Sequence, residues 1–176
     1  MSETPACYNF AIFLSQTKYG WVKLSLEGVW QQGVWQEAIS YLGEHPLVGF
    51  IHTAIDLYGH YNNGLFQVEH QNQCTSGLMR FVLLSESGKH AISLFPSNED
   101  RMITLALTDC FCLTESGDDF YPPKLIAETR VHFDDYLRAV YDAVCVALAR
   151  QGIIGISDSW GGDRESERQV IYQWMR

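Results

Sequence analysis

Apolar and polar positions change their spacing several times along the chain, and each change marks an element. Tyr8 to Ser15 is apolar and aromatic, and Trp21 to Leu26 alternates. Joined through Gln16-Thr17-Lys18-Tyr19-Gly20, the two segments predict a β-hairpin. From Val34 to Leu42 the apolar positions Trp35, Ala38, Ile39 and Leu42 recur at helical spacing, and Gly43 is placed to end that helix. Pro46 suits the first turn of a second helix, where the N–H it lacks has no partner in any case. Leu47, Phe50, Ile51, Ala54, Ile55 and Tyr58 make its apolar face, and Asn62-Asn63-Gly64 stops it.

A run of strands follows, predicted at Leu65–His70, Leu78–Ser85, Lys89–Phe95, Arg101–Leu113 and Glu128–Phe133. Ser87-Gly88 and Ser97-Asn98 serve as hairpin turns. Leu78–Leu84 is almost continuously apolar, as a central strand covered on both faces should be. The last long element is a helix capped by Asp134 or Asp135, with the stripe Tyr136, Val140, Ala143, Val144, Ala147 and Leu148. Gly152 closes it, a glycine-rich loop runs from Ile153 to Asp163, and a short helix forms around Glu165–Trp174. The expected fold is α+β: an antiparallel meander of about six or seven strands, with about three or four helices packed mainly on one side. No linker or internal repeat divides the chain, so residues 1–176 read as one domain.

Charge narrows the function. The formal balance of −9 argues against nucleic acid or an anionic membrane as partner, because both demand basic patches. It suits a basic protein partner. The excess leans toward the C-terminal half, where residues 99–176 hold 14 acidic against 8 basic side chains. The five cysteines, Cys7, Cys74, Cys110, Cys112 and Cys145, are odd in number and without repeated spacing, unlike a secreted disulfide framework. Met1 to Pro5 shows neither a basic n-region nor an apolar h-region, and no run approaches the roughly 18 apolar residues of a membrane span. The expectation is a cytoplasmic protein.

Few residues combine into chemistry. His52, Asp56 and His60 lie four apart and would share one helix face, a spacing open to a metal or acid–base site. They are equally the polar side of an amphipathic helix, and a metal would need ligands from elsewhere. Cys110-Phe111-Cys112 has one residue between its cysteines where a zinc or thioredoxin-type pair has two. On a strand it joins Thr104, Ala106 and Thr108 on a small-residue face opposite Ile103, Leu105, Leu107 and Phe111. Asp109 then falls on the large apolar face, where a lone carboxylate is costly, so the strand must bulge, end there or offer a partner, for which Arg80 is the candidate.

Two acidic segments carry aromatics. Glu115, Asp118 and Asp119 precede Tyr121; Asp158 and Asp163 flank Trp160. Carboxylates beside exposed rings can attract and then anchor on a basic protein. These seven residues are the expected partner-binding set. No catalytic residue, metal ligand or cofactor is assigned. Ser157 and Ser159 lack a nucleophile elbow, and Gly161-Gly162 lacks the lysine of a phosphate loop.

The run Phe133…Leu137…Val140…Val144…Leu148…Gly152…Gly155-Ile156…Trp160, following meander strands, resembles small α+β immunity proteins of bacterial polymorphic toxin systems. The resemblance implies a cytosolic, non-enzymatic inhibitor that binds one cognate toxin. A basic nuclease-type toxin is the natural partner for an acidic inhibitor, since such an enzyme must bind phosphates. Two alternatives stand beside it: a small metal-dependent or acid–base enzyme on the His52/Asp56/His60 face, and a homo-oligomeric structural subunit exploiting the many aromatics.

Overall fold

The computed structural model describes residues 10–16, 21–28, 34–40, 45–63, 79–85, 88–109 and 124–159. Seven strands run in chain order: β1 (Ala11–Gln16), β2 (Trp21–Glu27), β3 (Val34–Ser40), β4 (Met79–Ser85), β5 (Gly88–Pro96), β6 (Met102–Asp109) and β7 (Lys124–His132). Helix α1 (Pro46–Asn63) lies between β3 and β4, and α2 (Phe133–Ser159) follows β7. Every neighbouring pair is antiparallel and the spatial order is the sequence order, a pure meander.

The sheet face is set by alternation. Val22, Leu24 and Leu26 on β2, Met79, Phe81 and Leu83 on β4, Ile92 and Leu94 on β5, and Ile103, Leu105 and Leu107 on β6 all point into one core. Helix α1 adds Leu47, Phe50, Ile51, Ala54 and Leu57; α2 adds Phe133, Tyr136, Val140 and Val144. The sheet curls around these helices. Six flat inter-strand steps would separate β1 from β7 by about 29 Å. Yet α2 leaves the end of β7 at Phe133, and three residues later Tyr136 stacks on Phe10, ring centroids 6.0 Å apart, at the start of β1.

Side chains close the helix ends. Pro46 occupies the first position of α1 as expected, and the Leu47 N–H donates to His45 Nδ1 at 3.1 Å. At α2 the cap is His132, whose Nδ1 accepts from the Asp134 N–H at 3.3 Å, rather than Asp134 or Asp135 themselves. The two helices are pinned where Tyr136 and Thr53, both buried, share a hydrogen bond of 2.6 Å. Thr53 Oγ1 also bonds to the Gly49 and Phe50 carbonyls, which only accept, so the Thr53 proton goes there and Tyr136 donates to Thr53. Gly49 itself leaves room for the Phe81 ring, into which a Cβ would run.

The α+β class and the meander hold, with two corrections. The described residues contain two helices, not three or four. Val34 to Ser40 is strand β3, pairing with β2 through Trp35↔Leu26 and Ile39↔Val22. In addition, α2 passes through Gly152 and continues to Ser159, so the expected loop from Ile153 begins as helix. The predicted strand at Leu65–His70 and the short helix around Glu165–Trp174 lie outside the described residues.

Candidate functional site

Of the seven expected partner-binding residues, Glu115, Asp118, Asp119, Tyr121, Trp160 and Asp163 lie outside the described residues, as do Cys110 and Cys112. Asp158 stands in the last turn of α2, on helical backbone rather than in a loop. His52, Asp56 and His60 do share one side of α1 and are each half-buried. Among the described residues no three His, Cys, Asp or Glu side chains converge as a metal would require. His60 instead meets Tyr61 edge-on, with centroids 4.9 Å apart.

Arg80 and Asp109 are not brought together. Arg80 pairs with Ser93 on β5, and Ser93 with Ala106 on β6, which places Arg80 on the face away from the helices. Asp109 follows Leu107 on the core face, as the alternation required, and lies opposite His90. His90 is buried and carries Trp35 edge-on at 5.5 Å. Asp109 Oδ1 is buried and meets no hydrogen-bond donor among the described residues. A histidine facing a carboxylate across strands is an acid–base pair in kind.

A second cluster tightens the turn between β5 and β6. Asp100 Oδ1 accepts from the Met102 N–H at 3.0 Å, and Asp100 Oδ2 pairs with Arg130 on β7 at 2.8 Å. The Ser97 hydroxyl bonds to the same carboxylate, and these contacts hold Asp100 below the usual carboxylate range, Ser97 contributing most. Arg101, in the left-handed region at φ 55°, lays its guanidinium 4.8 Å from the Phe133 ring centre. This arrangement seats α2; it is structural.

A groove of about 410 Å³ lies between β1 and α2. Phe10, Ile12, Phe13 and Leu14 form one wall, and Ala139, Ala143 and Val146 the other. Asp135, Arg138, Asp142 and Arg150 follow the same side of α2 at the rim. Sequence reasoning missed this site. Its signal was present in two places: a strand, Ala11–Gln16, with no charge in it, and alternating charges at helical spacing along α2.

No helix among the described residues is long and apolar enough to cross a membrane. Compared with known proteins, the chain matches no family model, no curated protein and no solved structure.

Proposed function

We propose that this chain is an inhibitor of the immunity type, which binds one cognate toxin domain, a basic nuclease-type protein, and blocks it by direct contact. The observation that carries the reading is the placement of charge. The net −9 is weighted toward residues 99–176, within which carboxylates twice lie close to an aromatic. Long-range attraction of a basic surface raises the rate of encounter, and a buried ring then slows departure. In this reading Glu115, Asp118, Asp119, Asp158 and Asp163 steer, and Tyr121 or Trp160 anchors. Supporting it, α2 carries Tyr141, 58% exposed, on the helix whose last turn holds Asp158. Acidic and aromatic groups therefore extend onto a rigid support.

The test is recovery of the partner from the native cell on tagged chain, followed by assay of that partner with and without added inhibitor. A single basic protein recovered at equal stoichiometry, and silenced on addition, supports the reading. Recovery of the chain alone, or of a partner whose activity is unchanged, removes it. Given a partner, Asp118→Lys with Asp119→Lys should lower the association rate at least about tenfold and flatten its salt dependence. An unchanged on-rate would take those two residues out of the account.

A further inference from the structure

The two outermost strands of the sheet are not alike. β7 turns Lys124, Glu128 and Arg130 to solvent and carries a bulge, since Ala127 and Leu125 pair with Leu107 and Thr108 and leave Ile126 over. Both devices discourage a further strand. β1 reads Ala-Ile-Phe-Leu-Ser-Gln, with no charge, no proline and a regular register against β2. No described strand pairs with its outer side. An edge of that kind is a template for another strand, and the groove beside it supplies an apolar slot for alternate side chains.

The charges on α2 identify the occupant. Asp135, Arg138, Asp142 and Arg150 put two acids and two arginines along the rim, which attracts neither a cationic nor an anionic partner on balance. Asp135 and Arg138 pair within the helix at 3.7 Å; run antiparallel against its own copy about the level of residue 140, the stripe sets Arg138 of each molecule against Asp142 of the other. Antiparallel pairing of β1 with β1 of a second molecule produces that arrangement. A two-fold axis perpendicular to the sheet pairs the strands, keeps both helical layers on one side and opposes the two α2 helices. Phe13, 51% exposed within β1, then meets the edge strand of the other copy.

We infer that the β1–α2 groove is the interface of a homodimer, in which two β1 strands join the sheets of two copies and the α2 stripes pack across the axis. The occupant is a second copy of this chain. This interface is independent of the inhibitor reading and survives its failure.

Two charge variants of the full chain test it without fixing the helix register. In an acidic copy, Arg138→Glu and Arg150→Glu make the stripe wholly negative; in a basic copy, Asp135→Arg and Asp142→Arg make it wholly positive. Sedimentation velocity should show wild type as a dimer and each variant alone at least about tenfold weaker in self-association. An equimolar mixture of the two should recover the dimer. Phe13→Lys, which puts a guard on β1, should give a folded monomer by circular dichroism and sedimentation. A wild type that stays monomeric at all concentrations overturns the proposal, and so does a dimer that tolerates Phe13→Lys together with both charge variants.

Discussion

At one edge of the sheet β7 meets solvent with alternating charges, a bulge, and an arginine tied to Asp100; at the other, β1 carries no charge, has an exposed phenylalanine and is paired on its outer side by no described strand. Both strands belong to one meander and pack against one core, so the core does not explain the difference. An edge that is not guarded, in a protein whose other edge is, implies a strand that has something to pair with. The contrast also separates two kinds of residue within β1 itself. Ile12 is buried and serves the fold; Phe13 is half exposed and adds little to the core.

That separation gives the largest expected effects. Leu105, fully buried on β6, should cost about 2–5 kcal/mol when changed to Ala, through lost burial and a residual cavity. Phe13→Ala should cost no more than about 0.5 kcal/mol in a dilute, monomeric sample. Urea unfolding of both variants measures this. If the Phe13 variant loses as much as the Leu105 variant, β1 is a core strand throughout and the contrast between edges fails.

Next in size is the bond that seats α2 against the rest of the molecule. Thr53→Val keeps shape but leaves the Tyr136 hydroxyl buried without its acceptor, at about 1–3 kcal/mol. Because α2 forms one wall of the groove, amides of β1 should exchange faster in this variant while those of β7 change less. The same tyrosine gives an alkaline limit. Burial raises the Tyr136 hydroxyl well above its usual range, and the bond it donates to Thr53 favours the same protonated form. Unfolded, the phenol ionises near pH 10. Folded, it keeps its proton, so its contribution is complete below about pH 10 and declines as pH rises above it. Tyr136→Phe should flatten that decline, and an unaltered alkaline profile would show that other groups set it.

Removing the guard from β7 should leave stability nearly alone and change behaviour in concentrated solution. Glu128→Val with Arg130→Val gives an edge running Leu125-Ile126-Ala127 into two further apolar outward positions. Unfolding should move by about 0.5 kcal/mol or less, while light scattering rises with concentration. A variant as soluble as wild type would assign the protection of that edge to the bulge instead.

Most of this architecture was legible in alternation and turn residues, and the failures have local causes. β2, β5 and β6 show period-two apolar positions, and α1 is bounded by Pro46 and Asn62-Asn63-Gly64, so both kinds of element can be read directly. β4 reads as covered on both faces because its outward Val82 is apolar too, yet Val82 is exposed and only the Met79, Phe81 and Leu83 face is buried. Val34–Ser40 misleads because Trp35 and Ile39 are four apart, which satisfies a helix and a strand alike. Pairing with β2 decides it, and pairing is not local. Gly152 misleads because a glycine costs only about 1 kcal/mol in a helix already nucleated upstream. Arg80 and Asp109 looked like a pair because both interrupt apolar strands. The register sends them to opposite faces, and parity across two strand pairings is not visible in either segment alone. The groove escaped notice for a related reason: its walls, β1 and α2, come from opposite ends of the chain.

The smallest effect concerns how firmly the β7 guard is held. Asp100 is exposed and its carboxyl is held below the usual range, first by Ser97 and then by the Met102 N–H. Its contribution is therefore present above about pH 3.8 and is lost as pH falls from there through the folded value. Asp100→Asn separates the two roles of that carboxylate. The amide oxygen still accepts from Met102, so the turn persists, while the charge that holds Arg130 at 2.8 Å is gone. Relaxation of the Arg130 side chain should show it released, with Met102 exchange little changed. Arg130 remains charged and outward, so β7 should stay guarded and solubility should not fall. Were the variant to aggregate, the guard would depend on where the arginine is fixed and not only on its charge, and the difference between the two edges would be one of rigidity as well as composition.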